Sequence, residues 1–290
     1  MVQNVPLSIG TVLRAGVAWL TGRGHAEARL TVELLLARAI GHSRSGLYAR
    51  LGDPIEHRFR ATFDELLTRH VHGEPVAYIL GEREFYGLVF AVRSGVLIPR
   101  PETELLVEEA VAFVRNGPVQ AEVRVADVGT GSGCVAITVA THIPTAFVYA
   151  VDISIEATVI ATENARKHGV LERVDIRQSD LLTEVEGPLD IVLGNLPYIP
   201  SATVETLDSG VRDWEPRVAL DGGPDGLEPH RRLLAELPGR LRIGGLCVLE
   251  ISDDRGDLAR QLAQTILPGS RTDLLRDAFG RDRAIRVILG

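Results

Sequence analysis

The sequence predicts an α/β protein whose larger part is a doubly wound parallel sheet with an antiparallel strand near its C-terminus, preceded by a small all-α domain. Three observations lead there. From Glu122 onward, apolar runs at 123–128, 146–151, 174–177, 189–194 and 245–251 alternate with helical stretches near 133–142, 155–169 and 225–237, the pattern of strand–helix–strand crossovers within one sheet. Glycines at 129, 131 and 133 follow the first of these runs. Residues 1–72 instead carry apolar positions at helical spacing.

Within 1–72, Ser8 is placed to cap a helix running through Trp19, and 26–40 carries Leu30, Leu34 and Leu35 before a stop at Gly41. A further helix over about 54–70 presents Phe59, Phe63, Leu66 and Leu67. The segment 73–95 reads as a β-hairpin linker, because 76–81 and 84–92 are both rich in β-prone residues and are separated by glycine and charge. At 96–104 two prolines flank Arg100, a stiff loop before a helix over 105–115 that Glu102 or Thr103 would start. The main domain is expected over 96–290. Its tail, 270–275 and 284–289, reads as two closing antiparallel strands.

Composition limits the function classes. A formal net charge of −8 argues against broad nucleic-acid binding. The charge is uneven: residues 1–80 hold nine arginines against seven acids, and five of the eight histidines, which suggests two modules. No apolar run is long enough for a membrane helix, and the start lacks the basic and apolar regions of a signal peptide, so a cytoplasmic protein without membrane partners is expected. Cys134 and Cys247 read as reduced core thiols. They lack zinc-ligand spacing, so no metal site is expected.

The glycine stretch Gly129-Thr130-Gly131-Ser132-Gly133 is a nucleotide-type loop at the end of a strand. The dinucleotide fingerprint would need glycine at 134, where this chain has Cys134. Asp152 ends the second strand and can accept both hydroxyls of a ribose, as in either a nicotinamide dinucleotide or S-adenosylmethionine. Asp180 follows the third strand and can meet an adenine amine, with Leu181 against the ring. The fourth strand delivers Asn195, Leu196, Pro197 and Tyr198 to the same edge. Asn195 Oδ1 and the Leu196 carbonyl can hold a planar NH₂ group in line with a methyl donor, Pro197 stiffens the loop, and Tyr198 can stack on a flat group. Those residues suit methyl transfer to a planar nitrogen. A hydride-transfer enzyme is disfavoured, since no acid–base candidate for it stands out.

The runs Pro75–Gly81, Glu84–Gly87, Val96–Glu104, the glycine loop, Asn195–Pro200 and Glu215–Leu227 resemble the release-factor glutamine N5-methyltransferase family, also called HemK or PrmC. The resemblance implies a class I methyltransferase fold, Rossmann-like, behind an N-terminal helical bundle. It implies S-adenosylmethionine bound by Gly129, Thr130, Gly131, Ser132, Gly133, Asp152, Asp180, Leu181 and Asn195. It implies catalysis by Asn195, Pro197 and Tyr198, and an acceptor glutamine gripped by Asn195, Leu196, Pro197 and Tyr198. The implied partner is a class 1 peptide-chain release factor, through its Gly-Gly-Gln loop, docked by the helical domain and hairpin. Four positions depart from the family pattern: Leu196 where proline is usual, Ser252 and Arg255 in the region after Leu249-Glu250-Ile251, and His230 where tyrosine is usual. Asn-Leu-Pro-Tyr is similar to the version in adenine N6-methyltransferases of ribosomal RNA. These departures leave open a family member that methylates another acceptor: a small molecule, another protein or a nucleic-acid base.

Overall fold

A computed structural model describes residues 7–117 and 122–290; residues 1–6 of the expected 1–72 bundle therefore lie outside the described residues. The chain divides into two compact units, with the boundary between Gly81 and Glu82. Among the described residues, no helix is long and apolar enough to cross a membrane.

The first unit holds α1 (Ile9–Thr21), α2 (Ala28–Ala39), α3 (Arg44–Tyr48), α4 (His57–Val71) and α5 (Val76–Leu80). The Ser8 side chain caps α1 by accepting from the Thr11 N–H. Val32, Leu35 and Leu36 of α2 pack with Leu20, Leu47 and Phe63. Leu30, expected on that buried face, is among the exposed apolar residues. Helix α5 corrects the expectation of a strand over 76–81. Pro75 precedes it, Gly81 ends it at φ +77°, and Ile79 joins the helical core. Strand preference of β-branched residues reflects packing context, and here the context is a helical core.

The second unit begins with a hairpin, β1 (Glu82–Phe85) and β2 (Leu88–Ala91). Its turn places Tyr86 at φ 51° and Gly87 at φ 74°, both left-handed, as a two-residue hairpin turn requires. The hairpin is thus shorter than 73–95. Helix α6 (Glu104–Asn116) follows, then β3 (Val123–Val128), α7 (Cys134–His142), β4 (Ala146–Asp152), α8 (Ile155–Lys167), β5 (Val174–Gln178) and β6 (Leu189–Gly194). Two short helices, α9 (Ser201–Val204) and α10 (Ser209–Arg212), precede α11 (Glu228–Glu236), β7 (Leu241–Glu250), α12 (Gly256–Ile266), β8 (Arg271–Arg276) and β9 (Asp282–Ile288). Helices α3, α9, α10 and α12 were not expected from the sequence.

The sheet order is β5-β4-β3-β6-β7-β9-β8. Pairing is parallel from β5 to β7, and β9 runs antiparallel to both β7 and β8. Alternate residues of β3 feed two cores: Val123 and Val125 pack with α6 and α7, whereas Ala126 and Val128 pack with Leu233 and Ala259 of α11 and α12. A sheet buried on both faces exposes chemistry only at its edges and strand ends. The strand order reverses at β3, so the loops after β3 and β6 diverge there and leave a crevice at the carboxyl ends.

Candidate active site

That crevice is a cavity of about 250 Å³, lined by the loops after β3, β4, β5 and β6, by residues near 95–103, and by 216–221 and 229–232. On its β3 side, the buried Asp127 Oδ2 accepts from Thr130 Oγ1 at 2.7 Å and from the Ala136 N–H at 3.0 Å. This one carboxylate ties the glycine loop to the start of α7. Burial lifts its pKa to about 6 against those two hydrogen bonds. Gly131 has φ +55°, and a Cβ there would meet nothing within 4 Å; its backbone lies open to a ligand at close approach. The Asn164 side chain, fully buried, donates to the Ser132 carbonyl at 2.8 Å and pairs with both backbone groups of Ala91, bracing the glycine loop against the hairpin.

Asp152 Oδ2 accepts from the Gly131 N–H and Oδ1 from the Ser154 N–H, each at 2.9 Å. Both oxygens are thereby aimed while keeping lone pairs for a ligand. Burial raises its pKa, opposed by those N–H groups. Asp180 is paired with Arg232 of α11 at 2.7 Å. Leu181 sits at φ 52°, a costly conformation for a bulky residue. It is held by Ser179, whose hydroxyl donates to the Leu181 carbonyl at 2.8 Å.

The facing side of the cavity is built around β6. Asn195 Nδ2 donates to Thr103 Oγ1 at 3.0 Å. Asn195, Leu196 and Pro197 line the cavity. Tyr198 is not in that wall; its hydroxyl donates to Glu250 Oε1 at 3.2 Å, and burial with the neighbouring carboxylate raises its pKa. Gly133, also expected in the cofactor loop, stands outside the wall and packs against Ile137 and Ala161. Leu196 packs in the core with Leu227 and Leu249 and forms part of the cavity wall from that interior position.

Two segments clamp this loop. Arg100 pairs with the buried Glu215, which also accepts from the Ile98 N–H at 3.1 Å. Glu104 Oε1 accepts from the Tyr86 N–H at 2.8 Å, so Arg100, Thr103 and Glu104 each fasten a different part of the unit. On the other side, the Ile199 N–H donates to the Leu220 carbonyl and the Ile199 carbonyl accepts from the Gly222 N–H, a parallel bridge opposite Asp221. Gly226 has φ +76°, and a Cβ there would lie 2.5 Å from the Tyr198 carbonyl. Gly226→Ala is therefore expected to displace the Asn195–Tyr198 loop and lower turnover by about tenfold or more. Cofactor affinity, measured by calorimetry, should stay within about threefold.

Residues 11–81 match the family model for the PrmC N-terminal domain, and residues 103–207 that for the methyltransferase small domain. The release factor glutamine methyltransferase of Moorella thermoacetica is 41% identical over 96% of this chain and 97% of its own. The chain belongs to the release factor glutamine methyltransferase family. The Chlorobaculum tepidum relative of the same name is 39% identical, covering 88% of this chain and 89% of its own. A Pyrococcus furiosus methyltransferase superposes with TM-score 0.52 at 17% identity, over 78% of this chain and 99% of that one. Human methyltransferase 10 domain containing protein gives 0.51 at 16%, over 71% and 90%. Those two show the fold alone. As a member of this family, the protein is an S-adenosylmethionine-dependent methyltransferase. The open face of Gly131, the aimed Asp152 carboxylate and the apolar wall at Leu181 fit a ribose and an adenine.

The sequence reading missed Asp127, Thr103, Asn164, Glu215 and Glu250. Asp127 carried a signal, a charged residue inside an apolar strand run. Thr103 and Asn164 carried none, because their partners are remote in sequence.

Proposed function

We propose that the protein transfers a methyl group from S-adenosylmethionine to the side-chain amide nitrogen of a glutamine in a peptide-chain release factor. One observation carries this reading: Asn195, with its Nδ2 committed to Thr103, stands in the same cavity wall as the glycine loop and Asp152. The acceptor's identity is drawn from the relatives' name.

In this reading Gly129, Thr130, Gly131 and Ser132 line the cofactor's path, Asp152 accepts from the ribose hydroxyls, and Asp180 and Leu181 take the adenine. Bound S-adenosylmethionine supplies an electrophilic methyl group. An amide nitrogen is a poor nucleophile because its lone pair is delocalised. Asn195 Oδ1 and the Leu196 carbonyl accept from its NH₂, hold it in line, and stabilise the positive charge that develops on nitrogen. Pro197 stiffens the loop, and Tyr198 acts from behind it through Glu250.

The test is peptide mass spectrometry after incubating the protein with S-adenosylmethionine and a class 1 release factor. One added methyl group on the glutamine of the Gly-Gly-Gln loop is expected. An unmodified glutamine with a cofactor-binding protein would overturn the assignment.

A further inference from the structure

Among the described residues of the second unit, five large apolar side chains are more than half exposed: Ile153, Ile155, Val218, Ile243 and Phe279. Ile243 lies near the start of β7, at the amino ends of the parallel strands. The other four stand at the carboxyl edge, where the cavity opens. Ile153 and Val218 line the cavity itself, and Ile155 begins α8 soon after β4. Phe279, 83% exposed, is the most exposed of the four and stands outside the cavity wall.

Strand register fixes its place. Glu250, the last residue of β7, pairs with Ala284 of β9, and the Ile251 N–H donates to the Arg283 carbonyl at 2.9 Å. The turn at 277–281 therefore projects past the end of β7, from the same edge at which Asn195 follows β6. In the order β6-β7-β9-β8, neighbouring strands about 4.8 Å apart put this turn about 10–15 Å from β6 across the sheet. One partner's share of a standard protein–protein interface, about 800 Å², is a disc of about 16 Å radius. A protein seated over the cavity on that scale covers the turn as well, whereas a small acceptor leaves it bare.

The turn is braced with its ring held outward. Asp277 Oδ1 accepts from the Phe279 and Arg281 N–H groups at 2.9 and 3.0 Å, and the Gly280 N–H donates to the Asp277 carbonyl at 2.9 Å. Asp277 Oδ2 takes Arg283 Nε at 3.0 Å. Arg283 in turn lies 3.8 Å from Glu102, the chain neighbour of Thr103 in the cavity wall. The Arg281 guanidinium lies 5.5 Å from the Phe279 ring centroid. An aromatic ring on a turn fixed in this way loses little freedom on binding, and such rings dominate the affinity of many interfaces. We propose that the β8–β9 turn is a docking element for the release factor, with Phe279 entering an apolar hollow on its body outside the Gly-Gly-Gln loop. This rests on the functional reading above and adds a second point of contact to it.

The experiment compares Phe279→Ala and Phe279→Leu with wild type in the full chain, using a class 1 release factor. It measures kcat, KM for the release factor, cofactor affinity, melting temperature and, by sedimentation velocity, the oligomeric state. Phe279→Ala is expected to raise KM about tenfold or more, with kcat and cofactor affinity within about threefold and an unchanged melting temperature. Phe279→Leu, which keeps an apolar side chain, should recover most of the loss. A KM within about threefold of wild type in Phe279→Ala would overturn the inference alone, as would a loss confined to kcat or a fall in melting temperature parallel to the rise in KM. Self-association that Phe279→Ala abolishes while KM stays unchanged would assign the turn to a second copy of this chain and overturn the inference too. A wild-type protein that binds cofactor but leaves the glutamine unmodified would overturn the functional reading and this inference with it.

Discussion

Asn195→Ala is expected to lower methyl transfer at saturating cofactor by about a thousandfold, the scale on which a single preorganised polar group acts on a developing charge. Cofactor affinity should remain within about threefold, because the residues proposed to take the ribose and the adenine, Asp152, Asp180 and Leu181, lie on other loops of the cavity. Single-turnover rates beside equilibrium binding separate the two effects. Equal losses of rate and affinity would mean that Asn195 serves the cofactor rather than the acceptor. The side chain lost is a small one, and its remaining neighbour, Thr103, stays hydrogen-bond competent, so the fold should hold.

Asp152→Ala should have the opposite signature. Its two oxygens accept the Gly131 and Ser154 N–H groups, so truncation orphans both and removes the ribose acceptor. Hydrogen bonds to a charged group contribute about 1.5–3 kcal/mol each, and cofactor affinity should fall about 100-fold or more by calorimetry. Asp152→Asn should lose less, since one acceptor oxygen survives. Burial raises this carboxyl's pKa, so wild-type affinity should weaken on acidification earlier than an exposed aspartate would allow. Unchanged affinity in Asp152→Ala would remove the residue from the cofactor site.

The parallel sheet was legible because its strands are buried on both faces and therefore read as unbroken apolar runs; β3, β4 and β6 were located to the residue or nearly so. The glycine loop, Asp152, Asp180, Leu181 and Asn195 were legible for a related reason: strand ends of a doubly wound sheet converge, so order along the chain predicts neighbourhood. Helix α5 was misread because five residues cannot show a period, and its partners lie elsewhere in the chain. Helix α12 was passed over although Ala259 and Ala263 carry its buried stripe. Adjacency along the loop places Tyr198 next to Asn195, but its hydroxyl reaches Glu250, a partner remote in sequence that adjacency does not reveal. Thr103 stands at the N-cap of α6, where the sequence places it, but its side chain makes no cap hydrogen bond and accepts from Asn195 instead.

Leu196, by which this chain departs from the family's usual Asn-Pro-Pro-Tyr, is 4% exposed and meets the face of Gly129, where an added Cβ would lie 3.4 Å from Leu196 Cδ2. The volume left between the glycine loop and Leu249 therefore sets which side chain this position can hold. In the proposed mechanism what position 196 offers the acceptor is its backbone carbonyl, which a change of side chain leaves in place.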